Sequence, residues 1–219
     1  MADTPDLPLS GGSVRPSRPA PANPLPRVML VTDAGAPDPI GPLLTALRAV
    51  DASQVLVQVR LPGWSADARR AAAIALADTG AALVVNRETA LARELGVGVH
   101  LPEQGATVYA TRAELTPHAL VGRSCHDADG VARAEEDGAT YVTLGPIGPV
   151  PGKGPGKGVG WLGALARHSS LPVFALGGVA LSDIALLRQE GAYGVALMRA
   201  IPASDAPATL LASVLTLTR

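Results

Sequence analysis

The stretch Val173–Arg199 has the sequence VFALGGVALSDIALLRQEGAYGVALMR, and it predicts one complete strand–helix–strand unit. Val173–Leu176 is a short apolar run, Ser182–Glu190 carries apolar residues at helical spacing, and Gly194–Met198 is a second apolar run. Strands joined through a helix lie parallel in one sheet. This segment therefore indicates an α/β fold built on a parallel sheet.

The same alternation extends from Arg27 to the C-terminus. The predicted strands are Val28–Thr32, Val55–Arg60, Ala82–Asn86, Val97–Leu101, Ala119–Arg123, Thr140–Leu144, Val173–Leu176 and Gly194–Met198. The predicted helices are Pro42–Val50, Ala66–Thr79, Thr89–Leu95, Asp127–Asp137, Trp161–His168, Ser182–Glu190 and Pro207–Leu217, with only a weak helical pattern over Thr111–Leu115. The chain from residue 27 onward thus contains eight strand–helix units.

Each unit has about 24 residues available, which suits a strand, a short helix and two tight loops. We therefore predict a compact (β/α)₈ TIM barrel over residues 27–219. The alternative is an open doubly wound sheet, which would need a Gly-rich fingerprint directly after the first strand. The sequence Asp33-Ala-Gly-Ala-Pro37 at that position is not such a fingerprint.

Residues 1–26 differ from the remainder because they contain seven prolines mixed with glycine and serine. Proline-rich chain favours extended, unpaired conformations, so we predict a flexible, disordered tail before the barrel. The segment has no apolar run that could form the core of a signal peptide. The single cysteine, Cys125, excludes a disulfide within the chain and a zinc site built on several cysteines.

The composition limits the classes of partner. Apolar residues make up 47% of the chain, charged residues 17%, and the formal net charge is −1. These values are typical of a globular protein and disfavour general nucleic-acid binding, which usually needs a basic surface. No run of 18 apolar residues occurs, which argues against a membrane span. We expect a cytoplasmic protein with a small-molecule substrate and no nucleic-acid or membrane partner.

Two loops at the predicted C-terminal end of the barrel favour phosphate binding. Gly177 and Gly178 follow the seventh predicted strand, and Met198 and Arg199 lie at the end of the eighth. In such barrels the loops after the last two strands often hold phosphate through backbone N–H groups. Glycine lets the backbone approach the anion closely. A plain tight turn is the alternative interpretation of the Gly-Gly pair.

The lysines point to the same chemistry. The chain has 18 basic residues, and the only two lysines, Lys153 and Lys157, both lie in the Gly-rich segment Gly152–Gly158. A Gly-rich loop with two ammonium groups predicts a mobile lid that closes over an anion. A solvated surface loop is the alternative.

His126 is the candidate catalytic residue, because it follows the fifth predicted strand in the sequence Ser124-Cys125-His126. A histidine at the mouth of a barrel titrates near neutral pH and can act as acid and base in turn. A surface or capping histidine is the alternative. Cys125, as a lone thiol between two residues of the opposite face, is expected to be packed.

Further polar residues at the predicted strand ends are candidates for substrate binding. They are Gln58, Arg60, Asn86 and Ser124. No pair of acids stands at the strand ends, where Asp33 is the only obvious carboxylate. A Mg²⁺–diphosphate site normally needs carboxylates, so we predict no metal site.

Seven motifs occur in a specific order along the chain. They are Gln58-Val-Arg60, Val85-Asn86, Gly98-Val-His100, Gly122-Arg-Ser-Cys-His126, Tyr141-Val-Thr-Leu-Gly-Pro-Ile147, Ala175-Leu-Gly-Gly-Val179 and Gly194-Val-Ala-Leu-Met-Arg-Ala-Ile201. This ordered series resembles the thiamine phosphate synthase/TenI family, and the resemblance runs from about Arg27 to the C-terminus. It implies a compact (β/α)₈ barrel.

One branch of that family joins a pyrimidine diphosphate to a thiazole phosphate with Mg²⁺ held by two aspartates. Its N-D motif corresponds to Asn86-Arg87, and its G-Q-E-D motif to Pro102-Glu-Gln-Gly105, so both aspartates are replaced. The lysine of its Q-x-R-x-K motif is Pro62, while the P-T-x-T-K loop keeps only Pro149 and Lys153. The resemblance therefore disfavours synthase activity.

The other branch, the TenI-like thiazole tautomerases, resembles the chain better. Its V-x-L-P and G-R-S-x-H motifs match Val99-His-Leu-Pro102 and Gly122-Arg-Ser-Cys-His126. These enzymes aromatise a thiazole carboxylate phosphate by proton transfer without a cofactor, and their acid/base histidine corresponds to His126. The resemblance thus implies an isomerase of thiamine biosynthesis, and it suggests a homodimer. A divergent Mg²⁺-dependent synthase and a non-catalytic thiazole or thiamine phosphate-binding barrel remain the alternatives.

Overall fold

The computed structural model describes residues 24–219, in which eight parallel strands close into a barrel, each paired with the next and the last with the first. The strands are β1 Val28–Val31, β2 Val55–Val59, β3 Ala82–Asn86, β4 Gly98–Leu101, β5 Val121–Cys125, β6 Tyr141–Leu144, β7 Val173–Leu176 and β8 Gly194–Leu197. The helices are α1 Gly41–Arg48, α2 Ala66–Ala77, α3 Thr89–Leu95, α4 Val108–Arg112, α5 Ala128–Glu136, α6 Val159–Ala166, α7 Ile184–Gln189 and α8 Pro207–Leu217. The predicted (β/α)₈ barrel is confirmed.

The fifth strand lies further along the chain than the predicted range 119–123. The N–H of Ala119 donates to the carbonyl of Thr116 in a turn, which keeps Ala119 out of the ladder. Pairing with β6 begins at Gly122 and continues through Ser124 and Cys125. Ser124 is therefore part of β5, where the sequence analysis had placed it after the strand.

The fourth helix starts before the range 111–115 that the sequence pattern indicated. The hydroxyl of Thr107 accepts the N–H of Ala110 at 3.1 Å and so caps α4 at its N-terminus. The helix ends at Arg112. Side-chain capping, rather than the apolar spacing, decides where this helix begins.

Alternate strand residues pack in two separate layers. Outward-facing residues such as Val57 and Val142 pack beneath the helices in one large buried cluster. Inward-facing residues, among them Leu56, Tyr141 and Phe174, form a second cluster inside the barrel. This alternation follows from the period of two along a strand, and it decides which residues reach the mouth.

The described part of the N-terminal segment joins the barrel at its lower end. Leu25, within the predicted tail, is buried with the interior cluster, and its carbonyl accepts the hydroxyl of Tyr193. Residues 1–23, which make up the remainder of the predicted tail, lie outside the described residues. Among residues 24–219, no helix is long and apolar enough to cross a membrane.

Candidate functional site

The inward-facing positions at the C-terminal ends of the strands bring the predicted polar residues to one mouth. Gln58 lies two residues beyond the interior residue Leu56, and Asn86 lies two residues beyond Val84. His100 is paired in register with Asn86 across β3 and β4. Because these positions share the inward face, their side chains point into the barrel near the C-terminal ends of their strands.

His126 lies one inward position above Ser124, directly after β5. Its Nδ1 lies 2.8 Å from the carbonyl oxygen of Gly145, at the end of β6. A carbonyl can only accept, so Nδ1 carries the hydrogen and a neutral ring leaves Nε2 unprotonated. The next residue, Asp127, accepts the N–H of Gly130 at 2.7 Å and caps α5, which fixes the turn that holds the histidine.

Beneath His126 lies a network of four polar side chains, of which three are buried and Ser124 is partly buried. His100 Nε2 lies 2.9 Å from the hydroxyl oxygen of Ser124, and His100 Nδ1 lies 3.1 Å from the hydroxyl oxygen of Tyr141. Thr143 Oγ1 lies 3.4 Å from Ser124 Oγ. Burial, followed by the positive charge of Arg123, lowers the pKa of His100 to about 3. His100 is therefore neutral under ordinary conditions.

Gln58 and Arg60 approach the mouth from β2. The Gln58 side chain is buried, and its amide has no hydrogen-bond partner among the described residues. The backbone of Arg60 is held by Thr32, whose hydroxyl accepts the Arg60 N–H at 2.7 Å and donates to the Arg60 carbonyl at 3.0 Å. The exposed Arg60 side chain is therefore a cation on a fixed backbone at the edge of the mouth.

Arg87 follows Asn86 in a backbone conformation that is unusual for its residue type. Its φ is 69°, and its N–H donates to the carbonyl of His100 at 2.9 Å. This bond fixes the loop after β3 against β4. The exposed Arg87 side chain places a second positive charge at the rim of the barrel.

The Gly177–Gly178 turn after β7 packs backbone to backbone on the loop after β6. The N–H groups of Ile147 and Gly148 donate to the carbonyl of Gly177 at 2.9 and 3.0 Å. A trans peptide directs its N–H opposite to its C=O, so the N–H of Gly178 faces away from that loop. It donates to no acceptor among residues 24–219. An outward N–H of this kind is what a bound phosphate needs.

The end of β8 lies beside that turn, because β7 and β8 pair with Leu176 opposite Ala196. After Met198 the chain forms a single helical turn in which the N–H of Ala203 donates to the carbonyl of Arg199. The backbone N–H of Arg199 donates to no described acceptor. The Arg199 N–H is thus, within the described chain, a second unpaired backbone donor beside that of Gly178.

The Arg199 side chain forms an ion pair that local sequence patterns did not indicate. Its Nε lies 3.4 Å from a carboxylate oxygen of Asp33, which follows β1. The Arg199 side chain is 60% exposed and that of Asp33 16% exposed. The guanidinium is thus paired through its Nε, and its contact with a phosphate stays a prediction. Asp33, the one carboxylate expected at the strand ends, therefore has a cationic partner.

The two lysines occupy different environments. The ammonium of Lys157 donates to the carbonyl of His126 and lies 4.4 Å from the centre of the Trp161 ring. Lys153 is exposed in a small turn closed by the N–H of Val150 and the carbonyl of Gly154 at 3.2 Å. The loop is therefore anchored beside His126 by Lys157, and Lys153 is its free charge among the described residues.

A cavity of about 580 Å³ lies at the opposite end of the barrel, next to Leu25 and Leu215. Its described lining includes no histidine and no acid. His100 and His126, by contrast, lie toward the C-terminal mouth.

Comparisons with known proteins agree with this architecture. Residues 28–201 match the sequence profile of a family described as thiamine monophosphate synthase. The chain belongs to the thiamine monophosphate synthase family. A thiamine-phosphate synthase of Salinispora tropica is 34% identical over 86% of this chain and 95% of the relative. A putative thiamine-phosphate synthase of Geobacter sulfurreducens is 39% identical over 58% of this chain and 62% of the relative.

Among solved structures, thiamine phosphate pyrophosphorylase from Pyrococcus furiosus superposes with a TM-score of 0.77. It covers 88% of this chain and 95% of its own, at 17% sequence identity. A second structure, described as native KDPGal, superposes with a TM-score of 0.65 at 19% identity, over 90% of this chain and 96% of its own. At such identities these likenesses concern the fold.

The Mg²⁺ site that the synthase branch of the family implies does not fit the residues present. No group of three or more His, Cys, Asp or Glu residues within 24–219 is placed to hold a metal ion. Arg87 puts a cation where the first aspartate would lie. Gly105, at the second position, has a φ of 125°, a conformation that residues with a Cβ rarely adopt. An aspartate at position 105 would therefore be strained in the present backbone.

Tyr141, Thr143 and Trp161 also belong to the site, although they were not among the predicted site residues. Tyr141 and Thr143 are inward-facing residues of β6 that contact His100 and Ser124. Tyr141, Thr143 and Gly145 occupy alternate positions, so a strand places them on the same face. This alternation is the sequence pattern that indicates Tyr141 and Thr143 as residues of the barrel interior. Trp161 gave no signal, because its contact with Lys157 depends on how the intervening loop folds.

Proposed function

We propose that this chain catalyses metal-independent proton transfer on a phosphorylated thiazole, the reaction of a thiazole tautomerase, within thiamine biosynthesis. The observation that carries the proposal is the bond from His126 Nδ1 to the Gly145 carbonyl, which leaves Nε2 as a base at the barrel mouth. The absence of a carboxylate cage among residues 24–219 agrees with a reaction that needs no metal.

In the proposed mechanism, His126 Nε2 removes a proton from the ring carbon of the thiazole carboxylate phosphate. The imidazolium that results is stabilised by the Gly145 carbonyl, which accepts the Nδ1–H. His126 then returns a proton to the exocyclic carbon, and the ring becomes aromatic. No electrons are gained or lost, so the step needs no redox partner.

The remaining site residues bind and orient the substrate in this proposal. The backbone of Gly177, Gly178, Met198 and Arg199 holds the phosphate, and Lys153 supplements its charge. Gln58, Arg60, Asn86 and Ser124 line the ring and its carboxylate. Lys157 holds the loop after β6 against the carbonyl of His126. The homodimer that the family resemblance suggests remains a prediction.

The second candidate is a thiamine-phosphate synthase, and the comparisons favour it over the tautomerase. The family description and the curated relatives carry the synthase name. Synthase activity here would have to work without the two aspartates that the family resemblance assigns to Mg²⁺. The positive charges of Arg60 and Arg87 would then have to contact the diphosphate directly.

A single experiment separates these functions. The purified protein is assayed with a thiazole carboxylate phosphate alone, and with hydroxymethylpyrimidine diphosphate plus thiazole phosphate, each with Mg²⁺ and with a chelator. Aromatisation that is insensitive to chelator supports the tautomerase. Product from the two phosphorylated halves supports the synthase instead. Ligand binding without turnover of either substrate set would favour the non-catalytic barrel and refute both enzymes.

A further inference from the structure

The hydroxyl of Tyr141 determines which nitrogen of His100 carries the hydrogen. Tyr141 is fully buried, and its only hydrogen-bond partner among the described residues is His100 Nδ1. Burial raises the pKa of Tyr141 well above its usual value, so the hydroxyl keeps its hydrogen. If His100 Nδ1 donated instead, the Tyr141 hydrogen would be buried without an acceptor, which is costly. Tyr141 therefore donates to Nδ1.

The other nitrogen of His100 must then be the donor. With Nδ1 accepting, a neutral ring carries its hydrogen on Nε2, which lies 2.9 Å from Ser124 Oγ. The neutral state follows from the complete burial of the ring, which disfavours charge. Ser124 Oγ is thus the acceptor of the His100 hydrogen bond.

This arrangement leaves the hydrogen of the Ser124 hydroxyl without an acceptor among residues 24–219. The remaining polar neighbour, Thr143, donates its hydroxyl to Ser124 Oγ over a long 3.4 Å, so Ser124 is an acceptor there as well. Ser124 is on the inward face of β5, two residues before His126. Its hydroxyl therefore has a hydrogen to give at the mouth of the barrel.

We propose that Tyr141 and His100 are positioning residues that hold Ser124 as a hydrogen-bond donor toward an acceptor atom of the substrate. The class of acceptor that gains most from such a neutral donor is a carboxylate oxygen. The assignment of that oxygen to the thiazole carboxylate rests on the proposed function, whereas the polarity of the network does not. The chain thereby selects a ligand that bears a carboxylate beside its phosphate.

The polarity is tested first on the unmodified full-length protein. ¹⁵N-labelled histidine side chains are observed by NMR, and only four histidines occur in the chain. His100 is expected to be neutral with its hydrogen on Nε2, the opposite tautomer to His126. A His100 ring with its hydrogen on Nδ1 would overturn the proposal, and this measurement requires neither a variant nor enzymatic activity.

The consequence for binding is tested by calorimetric titration with two probes, thiazole carboxylate phosphate and thiazole phosphate. Ser124→Ala should weaken binding of the carboxylate-bearing probe about tenfold or more and leave the other nearly unchanged. Tyr141→Phe, which removes the donor to Nδ1, should act in the same probe-selective manner to a smaller extent. Equal losses for both probes, or no loss, would refute the selective role. Failure of the proposed tautomerase reaction would appear separately, as absent turnover with intact selective binding.

Discussion

The Nδ1 atom of His126 lies 2.8 Å from the carbonyl oxygen of Gly145, and this contact joins the end of β5 to the end of β6. It gives the imidazole a defined tautomer and a defined orientation, and within residues 24–219 no carboxylate bonds to the ring. His100, deeper on the same side of the barrel, is bound by Tyr141 and Ser124 and has the opposite predicted polarity. The two histidines are therefore not interchangeable.

Replacement of His126 tests its role as acid and base. His126→Gln should lower kcat for thiazole aromatisation by about a hundredfold to ten-thousandfold, because general acid–base catalysis contributes on that scale. The affinity for thiazole phosphate should change little. His118→Ala is a matched control, since His118 is exposed before β5 and away from the mouth. Turnover close to that of the unmodified protein would exclude the assigned role.

The buried His100 predicts a specific dependence of stability on pH. Its folded-state pKa of about 3 lies below the ordinary value of 6.5. Below pH 6.5 the unfolded chain therefore binds a proton that the folded chain does not. Stability should fall as the pH drops from 6.5 toward 3, by up to roughly 1.4 kcal/mol per pH unit from this residue alone.

This contribution can be isolated by urea unfolding at pH 7.5, 6 and 5. The His100→Gln variant should lose less stability between pH 7.5 and 5 than the unmodified protein, whatever its stability at pH 7.5. Above pH 6.5 the two proteins should show parallel dependence. Parallel curves over the whole range would contradict the buried, neutral state of His100.

Two Gly→Ala substitutions, one in the Gly177–Gly178 turn and one in α6, should change the stability of the protein in opposite directions. Gly178 has a φ of 66°, and a Cβ there would overlap the backbone of Gly148. Gly178→Ala should cost about 1–3 kcal/mol of stability and weaken phosphate binding. Gly160→Ala, in the first turn of α6 with nothing near the new methyl group, should stabilise by up to about 1 kcal/mol. Thermal unfolding with and without thiazole phosphate measures both effects, and a neutral Gly178→Ala would refute the tight approach.

The sequence was sufficient to predict elements whose limits are set locally. β3 Ala82–Asn86 and β7 Val173–Leu176 match the expected ranges, since each is an apolar run that ends at residues unsuited to continue it. α8 Pro207–Leu217 also matches, because proline fixes its first turn. The gathering of Gln58 and Asn86 at the mouth followed from strand period and barrel geometry alone.

Contacts between distant loops could not be predicted from local patterns. Asp33 and Arg199 meet because β1 and β8 are neighbours only after the barrel closes. The network around Ser124 required the exact start of β5, which a turn at Ala119 shifts along the chain. In each case the deciding interaction joins residues far apart in sequence, where periodicity carries no information.

The two lysines of the loop after β6, which the sequence could not distinguish, should affect binding and catalysis differently. Lys157 is held by the His126 carbonyl and the Trp161 ring, whereas Lys153 is exposed without such contacts. Lys153→Ala should weaken thiazole phosphate binding about tenfold at low salt, because one charge-assisted contact to the phosphate is lost. Added salt should reduce this difference in affinity, since exposed charges are screened within about 10 Å at 0.1 M.

Lys157→Ala should instead lower kcat, because the loop after β6 loses its anchor beside His126. Trp161→Leu keeps the charge but removes the ring, so it should reproduce part of the Lys157 effect and none of the Lys153 effect. Calorimetric titration and steady-state kinetics at two ionic strengths distinguish these outcomes, and identical behaviour of the two lysine variants would contradict the division of roles.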